Sequence, residues 1–151
     1  MTIRKILTFP DPKLREVAKE VTNFDSNLKQ LADDLLDTMY EFKGIGLAAI
    51  QIGVRKRIIV ADISEERQEP HIFVNPKIKV LNENKKGGYD EGCLSIPGFY
   101  EEVIRPTQVE ISFQNLSGEN EKIIPEGLLG VVVQHETCLL YTSDAADELR
   151  S

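Results

Sequence analysis

The sequence predicts an α+β fold in which antiparallel sheets pack around a C-terminal helix that carries a candidate metal site, with an amphipathic helix near the N-terminus. Apolar residues at steps of three and four mark the first helix. Short stretches rich in β-branched residues follow without regular βαβ alternation, so we expect antiparallel pairing. A final apolar run leads into His135 and Glu136, the first half of the H-E-x-x-H pattern that puts two histidines on one helix face.

Length, composition and charge limit the kinds of protein that this chain can be. A chain of 151 residues with 41% hydrophobic residues fits one domain that can bury a core. The net charge of −7 argues against a general nucleic-acid binder, so we predict no direct nucleic-acid binding. Two cysteines make no disulfide framework, and no apolar run approaches membrane-spanning length. We therefore expect a cytoplasmic protein that does not enter a membrane.

The N-terminal part is predicted to end in one long helix. Residues 3–9 alternate weakly and predict a short extended piece, and residues 14–18 could form one or two helical turns. Residues 26–42 predict the helix itself. Asp25 or Ser26 can cap its first turn, and Gly44 is expected to end it in a left-handed conformation. Its apolar face is formed by Leu28, Leu31, Leu35, Met39 and Phe42.

The middle of the chain is predicted to be β-structure. Residues 57–62 are rich in β-branched side chains, and residues 72–81 read as a strand broken at Pro76. Residues 109–113 alternate well between apolar and polar side chains. Residues 115–120 then form a turn into the strand 122–124, which predicts a hairpin.

Three clusters could carry chemistry, and each also has a purely structural interpretation. Residues 44–53 are small and apolar around Gln51, which suits close approach to a ligand or a tight turn packed on a strand. Cys93 lies between glycines on what we expect to be an exposed loop, where it is a nucleophile, a metal ligand or a buried structural cysteine. His135 on an apolar helix is a metal ligand or an ordinary core histidine.

Together the three clusters resemble a known family. Residues 44–51 (GIGLAAIQ), 91–95 (EGCLS) and 134–136 (QHE) are similar, in order and spacing, to the three signature motifs of peptide deformylases. Residues 11–15 and 103–106 are similar to that family as well. The resemblance covers residues 1–136, which we predict to be the deformylase domain. It implies a hydrolase that removes the N-formyl group from the formyl-methionine of nascent polypeptides, with these peptides as partners at the ribosome.

The resemblance also implies a role for each site residue. Cys93 and His135 match two ligands of one divalent metal, for which Fe²⁺ is expected and Zn²⁺ or Ni²⁺ would serve. Glu136 matches the general acid and base. Gln51 and the backbone N–H of Leu94 match the donors that stabilise the oxyanion. The peptide channel would be lined by Ile45, Gly46, Gly92 and Leu94.

The resemblance breaks after Glu136. Leu139 stands where the family has its second metal-binding histidine, so we expect an impaired enzyme. Residues 137–151 are predicted to be a tail that is not native to the domain, because residues 138–148 resemble translated sequencing-adapter sequence. Cys138, three residues after His135, is an alternative ligand for a site with two cysteines and one histidine. His71 is expected to play an ordinary role at the start of a strand.

Two other functions stay open. An inactive, deformylase-like module could hold formylated or methionine-leading peptides without cleaving them. A metal-free hydrolase could use Cys93 as nucleophile and His135 as base, since such a pair reacts when the groups lie within hydrogen-bond reach.

Overall fold

The computed structural model describes residues 3–7, 11–12, 17–66, 68–81, 86–93, 96–106, 109–125 and 127–141. For residues 86–93, 96–106, 138, 139 and 141 it describes the backbone only. The elements in chain order are α1 Ser26–Glu41, β1 Gly46–Ala48, a 3₁₀ helix Ala49–Ile52, β2 Ile58–Ala61, β3 His71–Val80, β4 Lys86–Cys93, β5 Ile96–Pro106, β6 Val109–Gln114, β7 Asn120–Ile123 and α2 Gly127–Tyr141.

Five strands form one antiparallel sheet with the order β1-β2-β3-β6-β7, and β4 pairs with β5 in a separate antiparallel hairpin. This arrangement confirms the predicted α+β class and the antiparallel pairing. The predicted strands 57–62, 109–113 and 122–124 correspond to β2, β6 and β7. His71 begins β3, as expected, and its ring stacks on Phe73 at 6.0 Å between ring centroids.

The two helices lie against opposite faces of the large sheet. Successive side chains of a strand point to opposite faces, and β2 divides its side chains accordingly. Ile58 and Val60 join the apolar cluster that contains the buried face of α1. Ile59 and Ala61 join the second cluster, which contains residues of α2. Because both faces of β2 are covered, all four of its residues are buried, which explains its uninterrupted apolar sequence.

Helix α1 begins as predicted and ends differently. The Asp25 carboxylate caps the first turn by accepting the Leu28 N–H at 3.1 Å. At the other end the left-handed residue is Lys43, with φ of 57°, and not Gly44. The Gly44 N–H donates instead to the Met39 carbonyl at 2.9 Å. The prediction that Gly44 takes the left-handed position was therefore wrong by one residue.

Residues 71–80 form one strand, so the predicted interruption at Pro76 is a local irregularity and not a break. The register of β3 against β6 shifts between Val74 and Lys77. Asn75 has a positive φ of 50° at this bulge, and its side chain bonds both the N–H and the carbonyl of Val21, at 2.8 and 2.9 Å. Proline is tolerated at a bulge because no ladder hydrogen bond is lost there.

Some predictions lie wholly or partly outside the described residues. Residues 13–16, which contain most of the predicted helical turn, and residues 142–151 of the predicted tail are among them. Residues 3–7 belong to no helix or strand, although the Leu7 N–H donates to the Gln51 carbonyl at 2.7 Å. Neither α-helix in the described part of the chain has the length and apolarity needed to cross a membrane.

Candidate active site

Helix α2 places His135 and Glu136 inside the protein. Four consecutive polar residues, Gln134 to Thr137, are buried, and they follow the buried run Val131–Val133. Their side chains are 5 to 8% exposed. Burying this many polar groups in one apolar helix is costly unless each has a partner or a function. The prediction of a helix around His135 is confirmed, and its burial excludes a solvent-exposed histidine.

Gly46 brings the first motif directly against Glu136. A Cβ atom added to Gly46 would lie 2.5 Å from Val132 Cγ1 and 3.2 Å from both Cγ and Oε1 of Glu136. Val132 and Glu136 are four residues apart, so they lie one above the other on the face of α2 that meets β1. Gly46 is therefore glycine because α2 leaves no space for a side chain, and this contact joins the first and third motifs.

Gln51 is held in one orientation by its own 3₁₀ turn. Its side chain is 2% exposed, and its Oε1 accepts the Ala48 N–H at 2.9 Å. Because a glutamine amide has one acceptor end and one donor end, this bond makes Nε2 the donor end of the side chain. The residue sits on the 3₁₀ helix that directly follows β1, and α2 packs against both of these elements. A side-chain amide with a fixed donor end is the kind of group that stabilises a developing negative charge.

Cys93 is the last residue of β4, and not part of the exposed loop that the sequence predicted. Its backbone pairs with Ile96 of β5, after a register shift between Gly92 and Cys93. Gly92 directly precedes the interruption of the ladder, a position at which glycine is common. The structure describes only the backbone of β4 and β5, so the position of the Cys93 side chain is outside the described part of the chain. Leu94 lies wholly outside it.

The remaining predicted site residues can be placed only in part. Ile45, just before β1, packs against the apolar cluster that contains residues of α2. Cys138 and Leu139 continue α2, so their backbones lie three and four residues beyond His135 on an unbroken helix. Leu140 is fully buried, and its carbonyl accepts the Ala18 N–H at 3.1 Å. The first residues of the predicted tail therefore extend the helix.

A divalent metal fits this donor set incompletely. The chain supplies a thiol at Cys93 and a buried imidazole at His135, which are both good ligands for Fe²⁺ or Zn²⁺. At the position one helical turn after His135 stands Leu139, whose side chain has no donor atom. Among the described side chains, no three His, Cys, Asp or Glu residues cluster around a common point.

Two residues near the site were missed by sequence reasoning. In the sequence Val132 is one of three consecutive valines with nothing to set it apart from the other two. Its packing against Gly46 is what distinguishes it. Asp62 directly follows the buried strand β2 and is itself fully buried. A carboxylate directly after four buried apolar residues was the available signal, because charged residues are seldom fully buried without partners.

The chain is similar to known proteins in both sequence and fold. The family model described as polypeptide deformylase matches residues 3–148. The peptide deformylase of Cellvibrio japonicus is 50% identical over 136 residues, which is 90% of this chain and 80% of that protein. Among solved structures, a peptide deformylase from Legionella pneumophila has a TM-score of 0.86 at 38% identity, covering 99% of this chain and 94% of that one. The peptide deformylase from Ehrlichia chaffeensis in complex with actinonin has a TM-score of 0.87 at 35% identity, with 93% and 84% covered.

Proposed function

The chain belongs to the polypeptide deformylase family, and from that premise we propose that the contact between Gly46 and the buried Glu136 marks the centre of a deformylase active site. An enzyme of this family removes the N-formyl group from nascent polypeptides. We place its action on formyl-methionine peptides at the ribosome, in the cytoplasm. The observation that carries the proposal is the meeting of β1 and α2, which brings a carboxylate to the glycine strand that would bind a peptide.

Glu136 is the proton carrier in this proposal. Its carboxylate is buried, and Oε1 lies 3.2 Å from the position that a Cβ atom on Gly46 would occupy. A carboxylate held in this way can accept the proton of the attacking water and deliver it to the leaving amine of the peptide. We propose that Ile45, Gly46, Gly92 and Leu94 would hold the peptide so that its formyl carbon lies near Glu136.

Gln51 stabilises the negative charge that develops on the formyl oxygen. The donor end of its amide is set by the bond from the Ala48 N–H to Oε1, so no reorientation is needed during the reaction. Removing one such donor in other hydrolases costs about 10²–10³ in rate. We assign the second donor to the backbone N–H of Leu94.

Metal dependence is general in this family, and here Cys93 and His135 would hold the ion. When bound, a divalent metal lowers the pKa of a coordinated water and so supplies a nucleophile near neutral pH. With Leu139 in place of a third protein ligand, we propose that the chain binds metal weakly and releases formate slowly. We further propose that residues 137–151 are foreign to the domain 1–136, since the lost ligand falls within them.

Formate release from formyl-methionine peptides tests this function. The chain is compared with Leu139→His, which restores an imidazole four residues after His135, and with Leu128→His, which adds one at an exposed position of the same helix. We expect Leu139→His to raise the rate in Fe²⁺ and Leu128→His to leave it unchanged.

Glu136→Gln in the Leu139→His background should then lower the rate by about 10²–10⁴-fold, the usual contribution of a general base. Equal rates for Leu139→His and Leu128→His would contradict the assigned ligand position. If every variant binds the peptide and none releases formate, the chain is a peptide-binding module and not a deformylase.

A further inference from the structure

Asp62 is a buried carboxylate that the proposed reaction does not use. It is fully buried directly after β2, and three of the described residues donate hydrogen bonds to its side chain. The Tyr40 hydroxyl donates at 2.6 Å, the Ser64 N–H at 2.9 Å together with the Ser64 hydroxyl, and the Glu69 N–H at 3.2 Å. We call Asp62, Tyr40 and Ser64 the Asp62 hub. It ties the end of α1 to the segment that follows β2.

The same residue also fixes the start of β1. The Asp62 N–H donates to the Ile45 carbonyl at 3.0 Å, and the preceding residue, Ala61, is the partner of Gly46 in the sheet. The hub therefore holds the backbone at Ile45 and Gly46 through the main chain of Asp62. Since Tyr40 belongs to α1, the position of β1 is set from the face of the sheet opposite α2.

Gly46 and helix α2 pack together without free space between them. The space for a Cβ atom at Gly46 is already occupied by Val132 and bounded by the Glu136 side chain. Closely packed groups transmit displacements because no void absorbs them. A displacement of β1 by a few tenths of an ångström would therefore move the Glu136 carboxylate or change its rotamer.

We propose that Asp62, held by Tyr40 and Ser64, is a positioning residue that sets the Glu136 carboxylate through the backbone of Ile45 and Gly46. The inference rests on the proposed function only in giving Glu136 its role as proton carrier. The mechanical link from Asp62 to Glu136 depends on the hydrogen bonds and packing alone. Its test can therefore be separated from deformylase activity.

The first experiment uses the full chain and measures the NMR signal of the Glu136 carboxyl group directly. Tyr40→Phe removes one donor to the hub, and Asp62→Asn replaces the carboxylate with an amide of the same shape. Asp33→Asn makes the same chemical change at a residue of α1 whose side chain is 47% exposed and pairs only with Lys29 among the described contacts. NMR at pH 7 follows the Gly46 amide and the Glu136 carboxyl carbon, and urea unfolding follows stability.

We expect both hub variants to shift the Gly46 amide and the Glu136 carboxyl signal, and Asp33→Asn to shift neither. A hub variant that lowers stability while the Glu136 signal stays in place would show a merely structural role and overturn the proposal. If Asp62→Asn does not fold, Tyr40→Phe decides the question alone, because it retains the carboxylate and loses a single hydroxyl.

A second measurement connects the hub to turnover. In the Leu139→His background, Tyr40→Phe should lower kcat by about tenfold, because small misplacements of a reacting group cost up to about 10²-fold. KM should change less than kcat, since Tyr40→Phe leaves in place the main-chain bond from the Asp62 N–H to Ile45, the one proposed peptide contact that the hub touches among the described residues. An unchanged kcat with a shifted Glu136 signal would refute the positioning role. If no variant releases formate, the proposed function is wrong. The link from Asp62 to Glu136 is then decided by the NMR result alone.

Discussion

Helices α1 and α2 lie on opposite faces of one sheet but bury very different side chains. The buried face of α1 is mostly apolar, and its two buried polar residues are tied to the N-terminal segment. Asp34 accepts from Arg4 at 2.8 Å and from Gln30 at 2.7 Å, and the Thr38 hydroxyl accepts the Arg4 N–H at 2.8 Å. Helix α2 instead buries four consecutive polar residues, from Gln134 to Thr137.

The difference distinguishes a helix whose buried face stabilises the fold from the helix to which the proposed function assigns the catalytic residues. Successive residues of a helix point about 100° apart, so four consecutive buried residues are enclosed on all sides. Packing alone does not require polar groups in such a place. Helix α1 is a scaffold element that can be understood from capping and periodicity, whereas the buried polar residues of α2 are those to which we assign the proposed site.

The largest expected effect tests the scaffold role of α1. Leu35 is fully buried in the cluster on the α1 face. Leu35→Ala should lower the free energy of unfolding by about 2–5 kcal/mol, through lost transfer energy and a cavity. The half-buried neighbour Leu36 provides the control, and Leu36→Ala should cost clearly less. Urea unfolding measures both, and equal losses would contradict the assigned core face.

The next effect tests the close contact between β1 and α2. Gly46→Ala places a methyl group 2.5 Å from Val132 Cγ1, and overpacking of this kind costs about 1–3 kcal/mol. Val132→Ala in the same chain removes the colliding atom. The double variant should therefore lose less stability than the sum of the two single variants. Additive losses would show that the two residues do not share this contact.

A smaller effect tests the start of α1. Asp25→Ala removes the cap on the Leu28 N–H and should cost about 1 kcal/mol in the free energy of unfolding. Asp25→Ser keeps an oxygen that can accept this N–H and should cost little. Thermal or urea unfolding compares the two. If Asp25→Ser were as destabilising as Asp25→Ala, the cap would not explain the effect.

The smallest effect concerns pH and the Asp62 hub. Burial raises the pKa of Asp62, but hydrogen bonds from Ser64, Tyr40 and the Glu69 N–H outweigh it and lower the pKa below its ordinary value of 3.8. Because the pKa is lower in the folded chain, Asp62 stabilises the fold above pH 3.8, and this contribution is lost as pH falls through the folded pKa.

The stability difference between the chain and Asp62→Asn should accordingly be constant near neutral pH and shrink in acid. Urea unfolding from pH 7 to pH 3 measures it. A difference that grows in acid would reverse the sign of the argument.

Local sequence signals were enough for much of the fold. Helix α1 was predicted over residues 26–42 and forms Ser26–Glu41, because its apolar period and Asp25 cap are local properties. Strand β1 was not predicted, because three residues acquire strand character only by pairing with β2. Cys93 was expected on a loop and ends β4 instead, since its pairing with β5 depends on residues further along the chain.

The site was predicted by its motifs but not by its contacts. The resemblance of residues 44–51, 91–95 and 134–136 to one family identified the segments, and membership of that family is shown. That Gly46 touches Glu136 could not be inferred, because the contact joins β1 to α2 across the assembled sheet. The pairing of Cys93 with His135 around a metal stays a prediction.

Titration with Co²⁺ tests the central claim most directly, because a thiolate ligand gives this ion a characteristic charge-transfer absorption. The account predicts that Leu139→His binds Co²⁺ more than about tenfold tighter than the unchanged chain, since losing even an indirect partner of a metal typically costs 10–100-fold in affinity. Cys93→Ser and His135→Ala should each abolish the thiolate band in that background. A band of unchanged strength in His135→Ala, or equal affinities for Leu139→His and the unchanged chain, would contradict a metal shared by Cys93 and His135.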